Sequence, residues 1–177
     1  MNAVVGLCVA VPLLASALVL GLRRNAAARD TITVSTMAAV TAMAAVLLAE
    51  ADRNGTIVLG VGDWAPDLGI VLVADLFAAL ILLVASATIL VVELFAIGQR
   101  RTPAGADPAV VSPILLVLAG GVSLAILTGD LFTLFVAFEL ILVASYVLLT
   151  HQGRESQVRS GMTYVVINLF ASTLFLF

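Results

Sequence analysis

Val4–Leu22, Thr31–Ala49, Leu76–Gly98, Val110–Thr128, Leu131–Thr150 and Met162–Phe177 are six apolar runs that share only two charged residues, Glu93 and Glu139. An α-helix needs about 20 such residues to cross a hydrocarbon core of roughly 30 Å. Each run meets or approaches that length. A folded soluble domain carries about a quarter charged residues, whereas this chain of 177 has 11% charged and 63% hydrophobic. Burying that much apolar surface from water would take a far larger protein. The expected fold is an all-α integral membrane protein of about six transmembrane helices. The first run follows a leader without Lys or Arg and is longer than a signal-peptide core, so it reads as a retained span. The last run is still apolar at Phe177, and the sequence reads as cut inside its sixth helix.

Between the second and third runs, residues 55–74 are too polar at their centre to span. Thr56–Leu59 and Ile70–Val73 are β-favouring segments around Gly60, Gly62, Asp63, Pro66 and Gly69, which predicts a small extracytoplasmic β-hairpin. Trp64 within it suits an interfacial anchor. The fourth and fifth runs are separated only by Gly129 and Asp130, so a tight reversal is required. Gly129 is expected to stop one helix with positive φ and Asp130 to cap the next. Pro113 is expected in the first turn of the fourth helix.

All eight basic residues are Arg. Arg23, Arg24, Arg29, Arg100, Arg101, Arg154 and Arg159 fall in alternate connections, and Arg53 alone falls in the others. The positive-inside rule then puts the N-terminus outside the cell membrane. The lone Cys8 lies in an apolar run, where it reads as a small buried hydrophobe, and supports neither a disulfide nor a metal site. No phosphate-binding loop, nucleophile elbow or zinc spacing is present. No cofactor, metal or nucleic acid is therefore expected, and the lipid bilayer is the expected surrounding.

Glu139 is the leading candidate site residue. It sits midway along the fifth run, where a charge costs roughly 2.5–3.5 kcal/mol, and burial penalises its charged form. Such a group suits proton binding and release; the alternative is a protonated Glu bonded to a neighbouring helix. Glu93, near the cytoplasmic end of the third run, reaches the interface or pairs with Arg100 or Arg101, or else admits protons. Asp130 and Thr133 stand one turn apart at the start of the fifth helix. A polar line from Asp130 through Glu139 to Tyr146 down one side of that helix is a further expectation. Ser160, Tyr164, Asn168 and Ser172 recur every four residues in the sixth run. They are expected to bond across a helix interface or to line a hydrated cavity beside Glu139. His151, as an exposed residue closing the fifth helix, is a candidate proton collector.

The segment Thr128-Gly129-Asp130-Leu131-Phe132-Thr133-Leu134-Phe135-Val136-Ala137-Phe138-Glu139 resembles the fifth-helix motif of antiporter-like membrane subunits. Ala144-Ser145-Tyr146 and Tyr164-Val165-Val166-Ile167-Asn168 continue the match. Gly62-Asp63-Trp64-Ala65-Pro66 and Gly69–Asp75 are similar to that family's outer hairpin and the start of its third helix. The best fit is to D-type subunits of Mrp-type multisubunit monovalent cation/proton antiporters. Membrane subunits of respiratory complex I and of membrane-bound hydrogenases come next. Thr133 stands where relatives commonly have Asn, and Ala137 where a bulkier residue is frequent. The resemblance implies a proton-conducting module with Glu139 as proton site, other membrane subunits as partners, and Na⁺ or K⁺ exchanged for protons. It also implies a partner lysine on a seventh helix and a second, inverted repeat, both beyond this sequence. A transporter subunit without enzymatic chemistry is implied. The alternatives are a subunit of a redox-driven pump, such as an NADH:quinone oxidoreductase, and a non-transporting membrane scaffold.

Overall fold

A computed structural model describes residues 2–22, 24–63, 69–99, 108–151 and 155–176. Its elements are α1 (Asn2–Gly21), α2 (Ala26–Asn54), β1 (Ile57–Gly60), β2 (Val71–Ala74), α3 (Leu76–Gln99), α4 (Pro108–Leu127), α5 (Leu131–Thr150) and α6 (Glu155–Leu176), with a short 3₁₀ turn at Val61–Asp63. Helices α1 to α5 are long and apolar enough to cross a membrane. In α6, Ser160, Thr163, Tyr164, Asn168, Ser172 and Thr173 interrupt the apolar run, and the helix falls short of that measure.

The helices begin where side chains replace missing backbone partners. Asn25 accepts the Ala28 N–H (3.2 Å) at the start of α2, and Asp75 accepts the Ala78 N–H (2.7 Å) at the start of α3. With 29 residues at ~1.5 Å each, α2 outreaches the hydrocarbon core. Its ends accordingly carry an Arg29–Asp30 pair (3.1 Å) and an Asn54–Glu50 hydrogen bond (2.8 Å). Helix α4 starts at Pro108, which leaves Pro113 inside the second turn rather than in the first.

Helix α1 packs between α2 and α4, α3 lies mainly on α2 and also touches α4, α5 lies on α4, and α6 lies on α5. Two apolar clusters hold this bundle. One joins Val5, Cys8, Ala44, Leu47, Leu82 and Leu127 with Ile57 and Leu72 of the hairpin. The other joins Val19, Met37, Leu116 and Ala119 at the opposite end. Cys8 is fully buried, as its apolar setting suggests. The outer faces are the reverse of a soluble protein: Leu14 and Phe77 are each 71% exposed and Phe132 69%. Lipid is the solvent such faces require.

The hairpin is antiparallel, pairing Ile57 with Ala74 and Gly60 with Val71. It does not stand free: Leu72 also bridges to Thr128 at the end of α4. Trp64, Pro66 and Asp67, together with Arg23, Arg100, Arg101 and Arg154, lie outside the described residues.

Candidate functional site

Helix α5 is divided lengthwise by what it touches. Thr133, Ala137 and Ala144 are buried, and a Cβ on Gly121 of α4 would meet Ile141 at 3.0 Å. That stripe is the α4 face. The far side meets α6: Phe138 and Phe175 stack edge to face at 6.4 Å, and a Cβ on Gly161 would collide with Thr150 and Tyr146. At about 100° per residue, Glu139 stands roughly 200° around from Ala137, on the side that Tyr146 shares. The side chain is partly buried, but Oε1 is sealed from solvent and has no hydrogen-bond partner among the described residues. A buried polar atom left this way costs about 1–3 kcal/mol, more if charged.

A cleft of about 280 Å³ opens between α5 and α6, lined by Phe138, Ile141 and Leu142 of α5 and by Tyr164, Asn168 and Ser172 of α6. Three members of the α6 polar stripe thus face one space, while Ser160 is exposed elsewhere. The expected bonding across the interface is not what Asn168 does; its Nδ2 donates to the Tyr164 carbonyl (2.8 Å), one turn back in its own helix. Glu139 is not part of the lining.

The continuous polar line expected along α5 is not formed. Asp130 precedes Glu139 by nine residues, about half a turn out of phase, and it serves the opposite side. Oδ1 accepts the Thr133 N–H (2.6 Å) as the helix cap, and Oδ2 accepts the Val71 N–H of β2 (3.5 Å). Gly129 donates its N–H to the Val71 carbonyl (2.8 Å), and the Thr128 hydroxyl donates to the Asp130 carbonyl (3.1 Å). Burial opposes the Asp130 charge. Hydrogen bonds from the Thr133 amide and hydroxyl, the Val71 amide and the Phe132 amide outweigh it, and the carboxyl is held below its ordinary value. Gly129 does not have the positive φ expected of a helix stop, which among the described residues belongs to Gly55 and Gly62. Its requirement is space, since a Cβ there would lie 2.7 Å from Val73 Cγ2. This three-way clasp of hairpin, turn and helix was invisible in the sequence beyond the cap, because Val71 and Asp130 are 59 positions apart.

Glu93 is 2% exposed and lies on the inward face of α3 with Ala79, Leu82 and Ser86. It is engaged with a partner and does not reach an exposed position; the alternative expectation, a pairing with Arg100 or Arg101, falls outside the described residues. Helices α3 and α5, which carry Glu93 and Glu139, both pack on α4. His151 is partly buried rather than exposed. Its Nδ1 is 3.0 Å from the Leu148 carbonyl, which places the ring hydrogen on Nδ1. Its Nε2 is buried without a hydrogen-bond partner among the described residues. No cluster of three His, Cys, Asp or Glu that could hold a metal occurs among the described residues.

Residues 128–177 match the family described as NADH:quinone oxidoreductase/Mrp antiporter, transmembrane. The D-type Na(+)/H(+) antiporter subunit of Bacillus subtilis (strain 168) is 34% identical over 178 residues, covering 99% of this chain and 35% of that protein. In the Mrp complex from Dietzia sp. DQ12-45-1b, one chain superimposes with a TM-score of 0.88 at 32% identity, covering 99% of this chain and 33% of its own length. A chain of the membrane-bound sulfane sulfur reductase, an archaeal respiratory membrane complex, gives a TM-score of 0.86 at 27% identity over 99% of this chain and 36% of its own. The chain therefore spans about a third of the length of these relatives. With a matching fold along its whole length and the family's own segment at 128–177, this multi-pass membrane protein belongs to the NADH:quinone oxidoreductase/Mrp antiporter family, among its D-type Mrp members.

Proposed function

We infer that the chain is a proton-conducting membrane subunit of a multisubunit Na⁺(K⁺)/H⁺ antiporter, with Glu139 as its proton site. The observation that carries this reading is the sealed, unpartnered Oε1 of Glu139, midway along a helix able to cross the membrane. A carboxyl group in that setting is stabilised by taking up a proton or by a cation moving close, and the two alternatives exchange. A positive charge approaching Glu139 favours release of the proton, and its withdrawal favours uptake. The cleft between α5 and α6, with the Tyr164 and Asn168 side chains at its wall, offers a place for water to carry the proton away.

The partners are the other membrane subunits of such a complex, in the cell membrane. The Arg distribution favours an extracytoplasmic N-terminus, and Na⁺ is favoured as the exchanged cation by the name of the Bacillus subtilis relative. Asp130, Thr133, Tyr146, Tyr164, Asn168, Glu93 and His151 support this work. Asp130 and Thr133 do so by fixing the start of α5, and His151 by closing its other end.

The test is Glu139→Gln in the complete complex, with proton flux driven by a cation gradient in sealed vesicles. Loss of flux with intact assembly supports the reading; unchanged flux removes it. The likeness to the sulfane sulfur reductase chain favours a second reading, a subunit of a redox-driven pump. Flux that requires an electron donor and ignores a cation gradient would establish that one. A complex that assembles yet moves protons under neither drive is a scaffold.

A further inference from the structure

Helices α1 and α4 touch closely at one level and separate toward the basic end of the bundle. A Cβ on Gly120 would lie 2.6 Å from Leu13 Cδ2, so the Leu13 side chain packs directly on the bare Gly120 backbone there. From that point they splay into a cleft of about 400 Å³ lined by Ser16, Leu20 and Arg24 on one side and Val110, Ile114 and Val117 on the other. Its volume is in the range of small-molecule sites. The floor and walls are aliphatic apart from Ser16, which is 8% exposed. Ser16 and Leu20 lie one turn apart on α1, about 6 Å along its axis, and Arg24 follows in the turn between α1 and α2. At its mouth stands Arg24, exposed, with no ion pair among the described residues.

We propose that this wedge is a binding site for one anionic phospholipid, its phosphate on the Arg24 guanidinium and the upper part of an acyl chain between α1 and α4. A slot that is apolar along its length and positively charged only at the rim matches a molecule with the same division. The bilayer surrounding these helices is made of such molecules. A guanidinium grips a phosphate through two parallel hydrogen bonds, and basic pockets between membrane helices select anionic headgroups. Soluble phosphate would meet only Arg24 and leave the aliphatic slot empty, so the lipid is the occupant that uses both halves.

The test is native mass spectrometry of the intact complex, purified and supplied with phosphatidylglycerol or phosphatidylcholine, with inorganic phosphate as competitor. Arg24→Gln removes the charge, and Val110→Trp blocks the mouth at a residue that is 39% exposed. Both positions are exposed, so subunit assembly should be unchanged. The expected result is one tightly retained phosphatidylglycerol per chain in the wild type, lost with Val110→Trp. With Arg24→Gln its apparent affinity should fall about fivefold, the factor for one basic residue at an anionic surface. Equal retention of the two lipids, indifference to both variants, or displacement by inorganic phosphate would overturn the assignment.

Discussion

Removing the Asp130 carboxylate should open the outer clasp by an amount that two of its hydrogen bonds predict. The Asp130→Ala variant loses the cap on the Thr133 N–H, a bond of 2.6 Å, for which about 1 kcal/mol is usual. It also loses the link to the Val71 N–H, which at 3.5 Å is long and falls below the ~1.5 kcal/mol that bonds to a charged group normally reach. The sum is about 2 kcal/mol, roughly a thirtyfold increase in local opening. Asp130→Asn separates the two terms, since Asn caps a helix about as well as Asp but brings only one acceptor oxygen. It should cost less than about 1 kcal/mol and be felt mainly at Val71. The assay is amide hydrogen exchange in lipid nanodiscs, read at Val71 and Thr133 and corrected for intrinsic rates. Because the folded state holds this carboxyl below its ordinary value, its stabilisation is fully present above about pH 4. It disappears as the pH falls through the lower folded-state value. Wild-type protection at Val71 should therefore drop in acid, and the Asn variant should show no such step. Equal effects of Asn and Ala at both amides, or a wild-type profile flat in acid, would refute the clasp as the source.

Three other substitutions probe the bundle and the site. Leu47→Ala, at a fully buried position among Val5, Cys8, Ala44 and Leu82, should lower stability by about 2–5 kcal/mol, measured by reversible unfolding in mixed micelles. Gly129→Ala sets a methyl against Val73 Cγ2 and 3.3 Å from the Val71 carbonyl; a loss of about 1–3 kcal/mol is expected, with faster exchange at Leu72 and Val73. Asn168→Leu fills the α5–α6 cleft with apolar surface and should slow cation-driven proton flux in the full complex without impairing assembly. Flux equal to wild type would show that protons do not use that cleft.

Much of this molecule could be read from hydropathy alone. The five strongest spans, the hairpin between the second and third, and the reversal at Gly129-Asp130 follow from apolar runs of one length broken by residues with turn chemistry. Lipid imposes that legibility, because a spanning segment must satisfy its own backbone and so announces itself by composition. Glu139 stood out for the same reason: a carboxylate in mid-span is costly wherever its side chain points. Proximity across the bundle was set by the tertiary structure. Residue spacing along α5 suggested one polar line, and packing placed Asp130 and Thr133 against α4 and the hairpin while leaving Glu139 and Tyr146 on the other side. Gly129 was recognisable as a turn glycine, yet it is required for the closeness of a strand distant in sequence and not for its φ. The wedge between α1 and α4 left no local signature, since it arises where two helices far apart in the chain meet at Leu13 and Gly120 and then diverge. Hydropathy records which residues prefer lipid to water; it carries no term for which of them meet.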